Sequence, residues 1–492
     1  MYSAIAKKIK IYNYMSNKKQ RSLKVNALLN GIKQSCSIVF PLITFPYISR
    51  VLGKTGYGQY SFSASITGYF TLLAALGINS YAIREGAKIR DNQKNINQFC
   101  SEVYTINIIT VLISYSLLAL LLLLNKKVQA YTTYILIQSI AMILTAVGAD
   151  WINSIYEDYF YLTVRYIVIQ ILSLGAMFAF VHTSEDLWKY CLIMTLSASG
   201  GNLINIFYVH KRVHLHLVYR MNLKKHIIPL LIFFVNTLAI TIYVNSDITM
   251  LGFFKDDQAV GIYSFSSKIY NMLKNLINAV VIVSIPRISY ILESKPGEYK
   301  KYLQNIFNFL SLLLFPVVAG MLAMSRQIIY IAGGEQYLDG TLSLQILSLA
   351  TIFAIYSSLF TNCVLIVNRQ EKKCLQATTI SALINIGLNF ILIPKMGMNG
   401  AAITTVIAEG MNFIIQVAFA REFFDFRELN INPILPSIEG SIIIFVVCLV
   451  IKRFIKAYIL CFMVSIVTSV IVYFGIVLSI NNIASFRKKR LF

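Results

Sequence analysis

Lysine and asparagine recur at helical spacing inside stretches that are otherwise apolar. One stretch carries Asn26, Asn30, Lys33 and Ser37, spaced four, three and four. Another carries Ser264, Lys268, Asn271, Asn275 and Asn278, spaced four, three, four and three, with Lys274 beside them. Further rows are Thr378, Ser381, Asn385 and Asn389; Thr405, Glu409, Asn412 and Gln416; and Thr237, Thr241, Asn245 and Thr249, with Asp247 near the end of the last. Residues three and four apart share one helix face. In hydrocarbon an ionisable side chain costs roughly 2.5–3.5 kcal/mol on insertion scales, so these faces should turn to protein or water. Ser, Thr and Asn alone could be hydrogen-bond glue between helices. Glue needs no full charge, so Lys33, Lys268 and Lys274 read as the cationic wall of a wet cavity able to hold an anion. Asn30, Asn271, Asn275 and Asn385 read as its hydrogen-bonding wall. Asp247 and Glu409 are candidates for proton or sodium coupling; pairing with a nearby lysine or backbone N–H is the alternative.

The elements that must position these residues follow from composition. The 492 residues are 57% hydrophobic and 13% charged, with a mean hydropathy of +0.66. A soluble chain of this length carries more charge. Apolar runs of about 20 residues recur throughout, each enough to cross a hydrocarbon core about 30 Å thick. They are continuously apolar, not alternating, which excludes a β-barrel. The expected fold is therefore an all-α, polytopic membrane protein.

Fourteen spans are expected, near 25–50, 57–82, 99–124, 131–150, 159–181, 187–209, 226–253, 258–286, 300–324, 338–367, 374–394, 397–420, 437–451 and 457–480. They group as six (25–209), six (226–420) and two (437–480). A basic tail (1–24), a basic linker (210–225), a second linker (421–436) and a basic C-terminal tail (481–492) separate or flank them. With the N-terminus inside and the spans alternating, 29 of the 44 Lys and Arg fall on the inner side and 11 outside, with Lys33, Arg165, Lys268 and Lys274 within spans. That bias predicts both termini in the cytoplasm. The net charge of +23 is thus read as topology and contact with anionic lipid head groups, not as nucleic-acid binding. The first apolar run is too long for the core of a signal peptide and should remain as span 1. Stretches between spans reach only about 15 residues, too short for a folded domain. Function must therefore lie among the helices.

The chain also repeats itself. Gly58-Gln59-Tyr60-Ser61-Phe62-Ser63-Ala64-Ser65-Ile66 returns as Gly261-Ile262-Tyr263-Ser264-Phe265-Ser266-Ser267-Lys268-Ile269, offset by 203, with six of nine positions identical. Each copy opens the second member of an apolar pair. This predicts two pseudo-symmetric six-helix lobes around a central cavity, the usual construction of a carrier. Pro41 and Pro46 in span 1 and Pro316 in span 9 can serve as hinges or as fixed kinks.

Other motifs fail. Gly53-Lys54-Thr55 lacks the glycine a phosphate loop requires five residues earlier, where Ile48 stands. His210, His214 and His216 have no carboxylate partner in a basic linker, so no metal site is expected. Asp256-Asp257 could suggest a metal–nucleotide site, but no catalytic domain accompanies it, so no enzyme and no catalytic residue is expected. The seven cysteines are scattered, without a C-x-x-C pair. No cofactor is expected.

Three stretches carry a family likeness: Phe45-Pro46-Tyr47-Ile48-Ser49-Arg50-Val51-Leu52-Gly53, then Gly58-Gln59-Tyr60, then Ala82-Ile83-Arg84-Glu85-Gly86-Ala87. Asp247, Val260-Gly261-Ile262-Tyr263-Ser264 and Gly397-Met398-Asn399-Gly400-Ala401-Ala402 extend it along nearly the whole chain. The sequence resembles the Wzx-type bacterial polysaccharide flippases of the multidrug/oligosaccharidyl-lipid/polysaccharide exporter superfamily. The resemblance implies a V-shaped pair of lobes in the cytoplasmic (inner) membrane. It implies transfer of an undecaprenyl-diphosphate-linked oligosaccharide to the outer leaflet, for O-antigen, capsule or exopolysaccharide. Partners would be the lipid-linked oligosaccharide, membrane lipids, and a polysaccharide polymerase with chain-length proteins. Arg84-Glu85 matches the family motif at the inner end of span 2, which adds Arg84 to the cationic candidates. The alternatives are a flippase of peptidoglycan lipid precursors, a cation-coupled drug antiporter, and a membrane glycosyltransferase or polymerase. A drug antiporter should favour acidic cavities, whereas the charge here leans positive. A glycosyltransferase usually needs a substantial outer loop, which this chain lacks.

Overall fold

The computed structural model describes residues 23–219, 221, 223–424, 430 and 432–489; the side chains of 23–30, 32, 34, 35, 38, 236, 433 and 477–489 are outside that description. The tail 1–22 and the side chains of Asn26 and Asn30 therefore lie outside the described residues. The α-helices, in chain order, are α1 (Leu23–Ala75), α2 (Ile78–Ile89), α3 (Gln93–Leu124), α4 (Lys126–Gln129), α5 (Thr132–Gly148), α6 (Trp151–Ile155), α7 (Tyr159–Phe180), α8 (Leu187–Ser199), α9 (Gly201–Val209), α10 (Leu223–Phe254), α11 (Asp257–Ser294), α12 (Pro296–Gly333), α13 (Thr341–Phe360), α14 (Glu371–Met396), α15 (Met398–Ala420), α16 (Leu435–Phe454) and α17 (Tyr458–Lys489). Among the described residues twelve helical stretches are long and apolar enough to cross a bilayer. The first of these, Val39–Ile89, holds two legs, and α5 is a shorter apolar helix. Each of the fourteen expected segments thus carries a helix.

The two legs of α1 meet at Gly53, whose φ of 68° and ψ of 176° interrupt the helix. The Phe45 and Tyr57 rings lie 5.7 Å apart, whereas twelve residues of unbroken helix would span about 18 Å. The chain therefore doubles back at Gly53 and makes a tight hairpin. A glycine permits the positive φ at no steric cost. Polar side chains cap some of the other helices. Asn92 caps α3 by accepting from the Asn95 amide at 3.1 Å, and Asp256 caps α11 through the Ala259 amide at 2.9 Å.

Helices α11 and α12 each run 38 residues, about 57 Å at 1.5 Å per residue. Both outrun the expected spans 258–286 and 300–324. Their amphipathic ends continue as helix because Ile288, Ile291, Tyr299 and Leu303 are buried in one apolar cluster there. A hydropathy window registers only the lipid-facing middle of such helices. The last two helices, α16 and α17, pack on α12, where the Tyr473 hydroxyl donates to the Leu312 carbonyl at 2.8 Å.

The two copies of the repeat pack against each other. A Cβ on Gly58 would stand 1.8 Å from the Asp257 carbonyl oxygen, and one on Gly261 would stand 1.8 Å from that of Lys54. Each clash is with the residue four before the other glycine, so the contact is reciprocal. The repeat phenylalanines behave alike. Phe62 lies against Gly252, with the Phe253 ring at 5.4 Å and Tyr131 at 4.9 Å. Phe265 lies against Gly333, with Phe45 at 4.8 Å and Tyr337 at 4.2 Å. Polar bonds reinforce the same end of the bundle: Gln59 to Asp257 at 3.0 Å, Ser49 to the Ala332 carbonyl at 3.1 Å and Arg50 to the Ile331 carbonyl at 2.6 Å. This is the Gly53 end; the opposite one is the Arg84 end.

Candidate functional site

Two places that gather polar side chains lie behind this seam. The first is a cavity of about 90 Å³ walled by both legs of α1, by α7 and by α8, with Lys268 entering from α11. Helical spacing builds its walls. Gln170, Ser173, Leu174 and Met177 share one face of α7, and Tyr190, Met194 and Ser197 share one face of α8. Thr44 and Tyr60 complete it from α1. The Tyr60 and Tyr190 rings sit 4.7 Å apart. Ser197 donates to the Gln170 amide oxygen at 3.0 Å. Lys268 is half-buried, and among the described residues no carboxylate pairs with it. A partly buried cation without a counter-charge is costly, and an anion in the cavity would lower that cost.

The second place surrounds Asp247 of α10, which is 6% exposed. Its carboxylate accepts from the Tyr263 hydroxyl and the Thr405 hydroxyl, both at 2.6 Å, and from the Asn389 amide, also at 2.6 Å. Asn389 in turn donates to the Asn385 amide oxygen at 3.0 Å, which also accepts from Ser246 at 2.8 Å. Four helices (α10, α11, α14 and α15) thus converge on one carboxylate through neutral donors. The repeat offset of 203 residues pairs Tyr263 with Tyr60; one copy aims this tyrosine at a carboxylate and the other sets it against the Tyr190 ring.

The other expected site residues are spread. Lys33 lies over the Tyr166 ring at 5.6 Å. Tyr166 is one turn of α7 before Gln170, so Lys33 and Lys268 border the same helix. Lys274 turns instead to Glu409, at 3.4 Å, and covers the Tyr270 ring at 4.8 Å. Tyr270 also donates to Glu409 at 3.1 Å. Of the two carboxylates proposed for coupling, Glu409 therefore has a lysine partner, whereas three neutral donors hold Asp247. Arg84 pairs with Glu85 at 2.8 Å and covers the Phe233 ring at 4.9 Å. Asn271 bonds back to the Ser267 carbonyl at 2.9 Å, Asn275 is exposed and Asn385 is buried within the Asp247 network. Asn30 lies outside the described side chains.

Sequence reasoning missed the tyrosines and amides of the first cavity. Their signal was present as the three- and four-residue spacing on α7 and α8, diluted by the leucines and methionines between them. It also missed a buried triad at the Arg84 end. His226 has no exposed surface; its Nε2 lies 2.8 Å from Glu102 and its Nδ1 2.8 Å from the Tyr81 hydroxyl. The triad ties α10 to α2 and α3. The linker histidines do not converge: His210 bonds to the Ile206 carbonyl and His216 to Ser101.

Known proteins are similar to this chain in sequence and in fold. Residues 23–292 match the family model described as "Polysaccharide biosynthesis protein". The chain is 23% identical over 411 residues to a protein of Escherichia coli (strain K12) named "Putative O-antigen transporter", covering 82% of this chain and 98% of the relative. A protein of the same name from Shigella dysenteriae is 20% identical over 390 residues, covering 79% and 97%. Among solved structures, the "Lipid II flippase MurJ, inward closed conformation" superposes with a TM-score of 0.73 at 16% identity, over 92% of this chain and 97% of that one. That likeness shows a shared helical membrane fold. On the family match, which takes in the first copy of the repeat, the second copy and Asp247 together, the chain belongs to the polysaccharide biosynthesis protein family.

Proposed function

We propose that this protein carries a polyprenyl-diphosphate-linked oligosaccharide from the cytoplasmic to the outer leaflet of the bacterial inner membrane by alternating access. The carrying observation is Lys268, a cation that has no carboxylate partner among the described residues and that enters a cavity holding tyrosine, serine and glutamine side chains at the seam between the repeats. A sugar chain cannot cross hydrocarbon unaided, because each hydroxyl would lose its water partners. Hydroxyl and amide side chains along the seam replace them. The negative diphosphate meets Lys268 and Lys33, with Arg84 at the mouth, while the lipid tail stays in the bilayer. The family membership and the O-antigen transporter names of the two bacterial relatives support this cargo.

In this reading residues 25–209 and 226–420 form two lobes that rock about the repeat seam, with α16 and α17 accompanying the second lobe. The charge bias puts the Gly53 end outside and the Arg84 end in the cytoplasm. The seam around Gly58 and Gly261 closes the outer end and separates when cargo is released there. Asp247 serves as the coupling site: it is held by neutral donors, so a proton or sodium ion can be added without displacing a salt bridge. A polymerase with its chain-length partners would take up the delivered unit. The shared fold with a lipid II flippase favours a second reading, in which the cargo is a peptidoglycan precursor.

The test is genetic and biochemical. A strain lacking the gene should accumulate lipid-linked repeat units on the cytoplasmic leaflet, and the wild-type gene should release them. Continued delivery in the deletion strain, with no second transporter present, overturns the proposal. Loss of peptidoglycan synthesis in place of surface polysaccharide selects the second reading.

A further inference from the structure

The cavity behind Lys268 is built for more than a charge. We propose that it is a subsite for one sugar ring lying next to a negative group, with Tyr60 and Tyr190 as its apolar shelf, Gln170 and Ser197 as its hydrogen-bonding edge and Lys268 as the anion partner. The inference rests on the transport of a lipid-linked oligosaccharide argued above. Three observations carry it. The aromatic rings of Tyr60 and Tyr190 sit 4.7 Å apart on neighbouring walls, and Tyr57 adds a third ring 6.1 Å from Tyr60. A sugar ring presents apolar C–H faces and polar edges, so it suits aromatic side chains beside amide and hydroxyl groups. The Gln170–Ser197 pair, joined at 3.0 Å, leaves the Gln170 amide nitrogen free of that bond and available to a hydroxyl. Lys268 enters from the other repeat with no carboxylate partner among the described residues. Its neighbour in charge, Lys274, is by contrast paired with Glu409 at 3.4 Å.

The arrangement also gives the site a reason to be read by both repeats. The ring would rest on helices of the first six spans, and the anion would be held by α11 of the second set. Only a cargo that has both, a ring and an adjoining negative group, bridges them. The negative group has two sources, the diphosphate that joins the first sugar to the lipid and a carboxylate on a sugar of the repeat unit.

The experiment measures binding to the full chain in nanodiscs. The probes are a short-chain prenyl diphosphate bearing one N-acetylhexosamine, the same prenyl diphosphate without sugar, and free hexuronic acid. The sugar-bearing diphosphate should bind at least about tenfold more tightly than the bare one. Tyr60→Ala and Gln170→Ala should abolish that preference, bringing the sugar-bearing probe's affinity down to that of the bare diphosphate. Lys268→Met should weaken both diphosphates about tenfold, and Lys268→Arg should restore them. Protection from hydrogen exchange at residues 190–197 by the sugar-bearing probe is the second readout, and it does not depend on the variants folding. Hexuronic acid competing at the same segment assigns the anion to a sugar carboxylate; no competition assigns it to the diphosphate. Equal binding of the sugar-bearing and bare probes, or the absence of protection at 190–197, overturns the subsite but leaves the transport reading in place. Failure of the wild-type protein to bind any of the three overturns both.

Discussion

Gly58 and Gly261 face each other so closely that a Cβ on the first would lie 3.0 Å from the backbone nitrogen of the second, and a Cβ on the second 3.1 Å from that of the first. Since each added carbon would also meet a carbonyl oxygen at 1.8 Å, the backbones must part to admit it. Gly58→Ala and Gly261→Ala should each destabilise the protein by about 1–3 kcal/mol, as overpacking does. They should also open the Gly53 end, read as faster hydrogen exchange at residues 257–261. Gly175→Ala and Gly387→Ala, where nothing lies within 4 Å of the added carbon, are the controls. Unchanged exchange and melting in both seam variants would refute the account of the seam.

Lys33 and Lys268 border one helix of the first six spans. Replacing both with Met should abolish surface polysaccharide without lowering the amount of protein in the membrane. Each single change should leave partial export, because one cation remains beside α7. Normal polymer in the double variant removes these lysines from the cargo site.

Asp247 and Glu409 should part company under mutation. Asp247→Asn turns an acceptor of three bonds into a group that also presents donors to Tyr263, Thr405 and Asn389. Any stimulation of transport by a sodium or proton gradient should be lost. Glu409→Gln should cost stability instead, and Lys274→Met should offset much of that loss in a double-mutant cycle, since the two form a pair at 3.4 Å. Gradient stimulation that survives Asp247→Asn but not Glu409→Gln would reverse the assignment.

His226 is fully buried between Glu102 and Tyr81. His226→Ala leaves the Glu102 carboxylate with Gln98 as its remaining side-chain donor, at 3.0 Å. Leaving a buried carboxylate short of a hydrogen-bond partner, together with the cavity left by the ring, costs about 2–4 kcal/mol. Tyr81→Phe removes one hydroxyl and should cost about 1 kcal/mol. Thermal unfolding in detergent should rank His226→Ala well below Tyr81→Phe, and the reverse order would argue against the triad as a tie between α10 and its neighbours.

How much of this was legible in the sequence depends on the physical signal. Spans were legible because hydrocarbon demands about 20 consecutive apolar residues whatever their neighbours are. The pairing of the first two spans was legible through the repeat that opens the second of them, whereas the reversal at Gly53 shows only in its backbone angles. The long ends of α11 and α12 were not legible, since a helix end held by an apolar seam on one face leaves only a weak hydropathy signature. Lys274 was expected to face the cavity because its own helix says nothing of Glu409, 135 residues later. Asp247 stood out as a charge among apolar residues, but its three donors come from α11, α14 and α15, and only the fold brings them together. The tyrosines of the Lys268 cavity were hidden for another reason: an aromatic residue in a span looks the same whether it faces lipid, core or cargo.

The network around Asp247 has a final consequence. A carboxylate clasped from three neighbouring helices acts as a rivet: none of α10, α11, α14 and α15 can slide without breaking at least one of its bonds. These four helices should travel as one block, so that spin labels placed on any two of them keep their separation throughout the transport cycle.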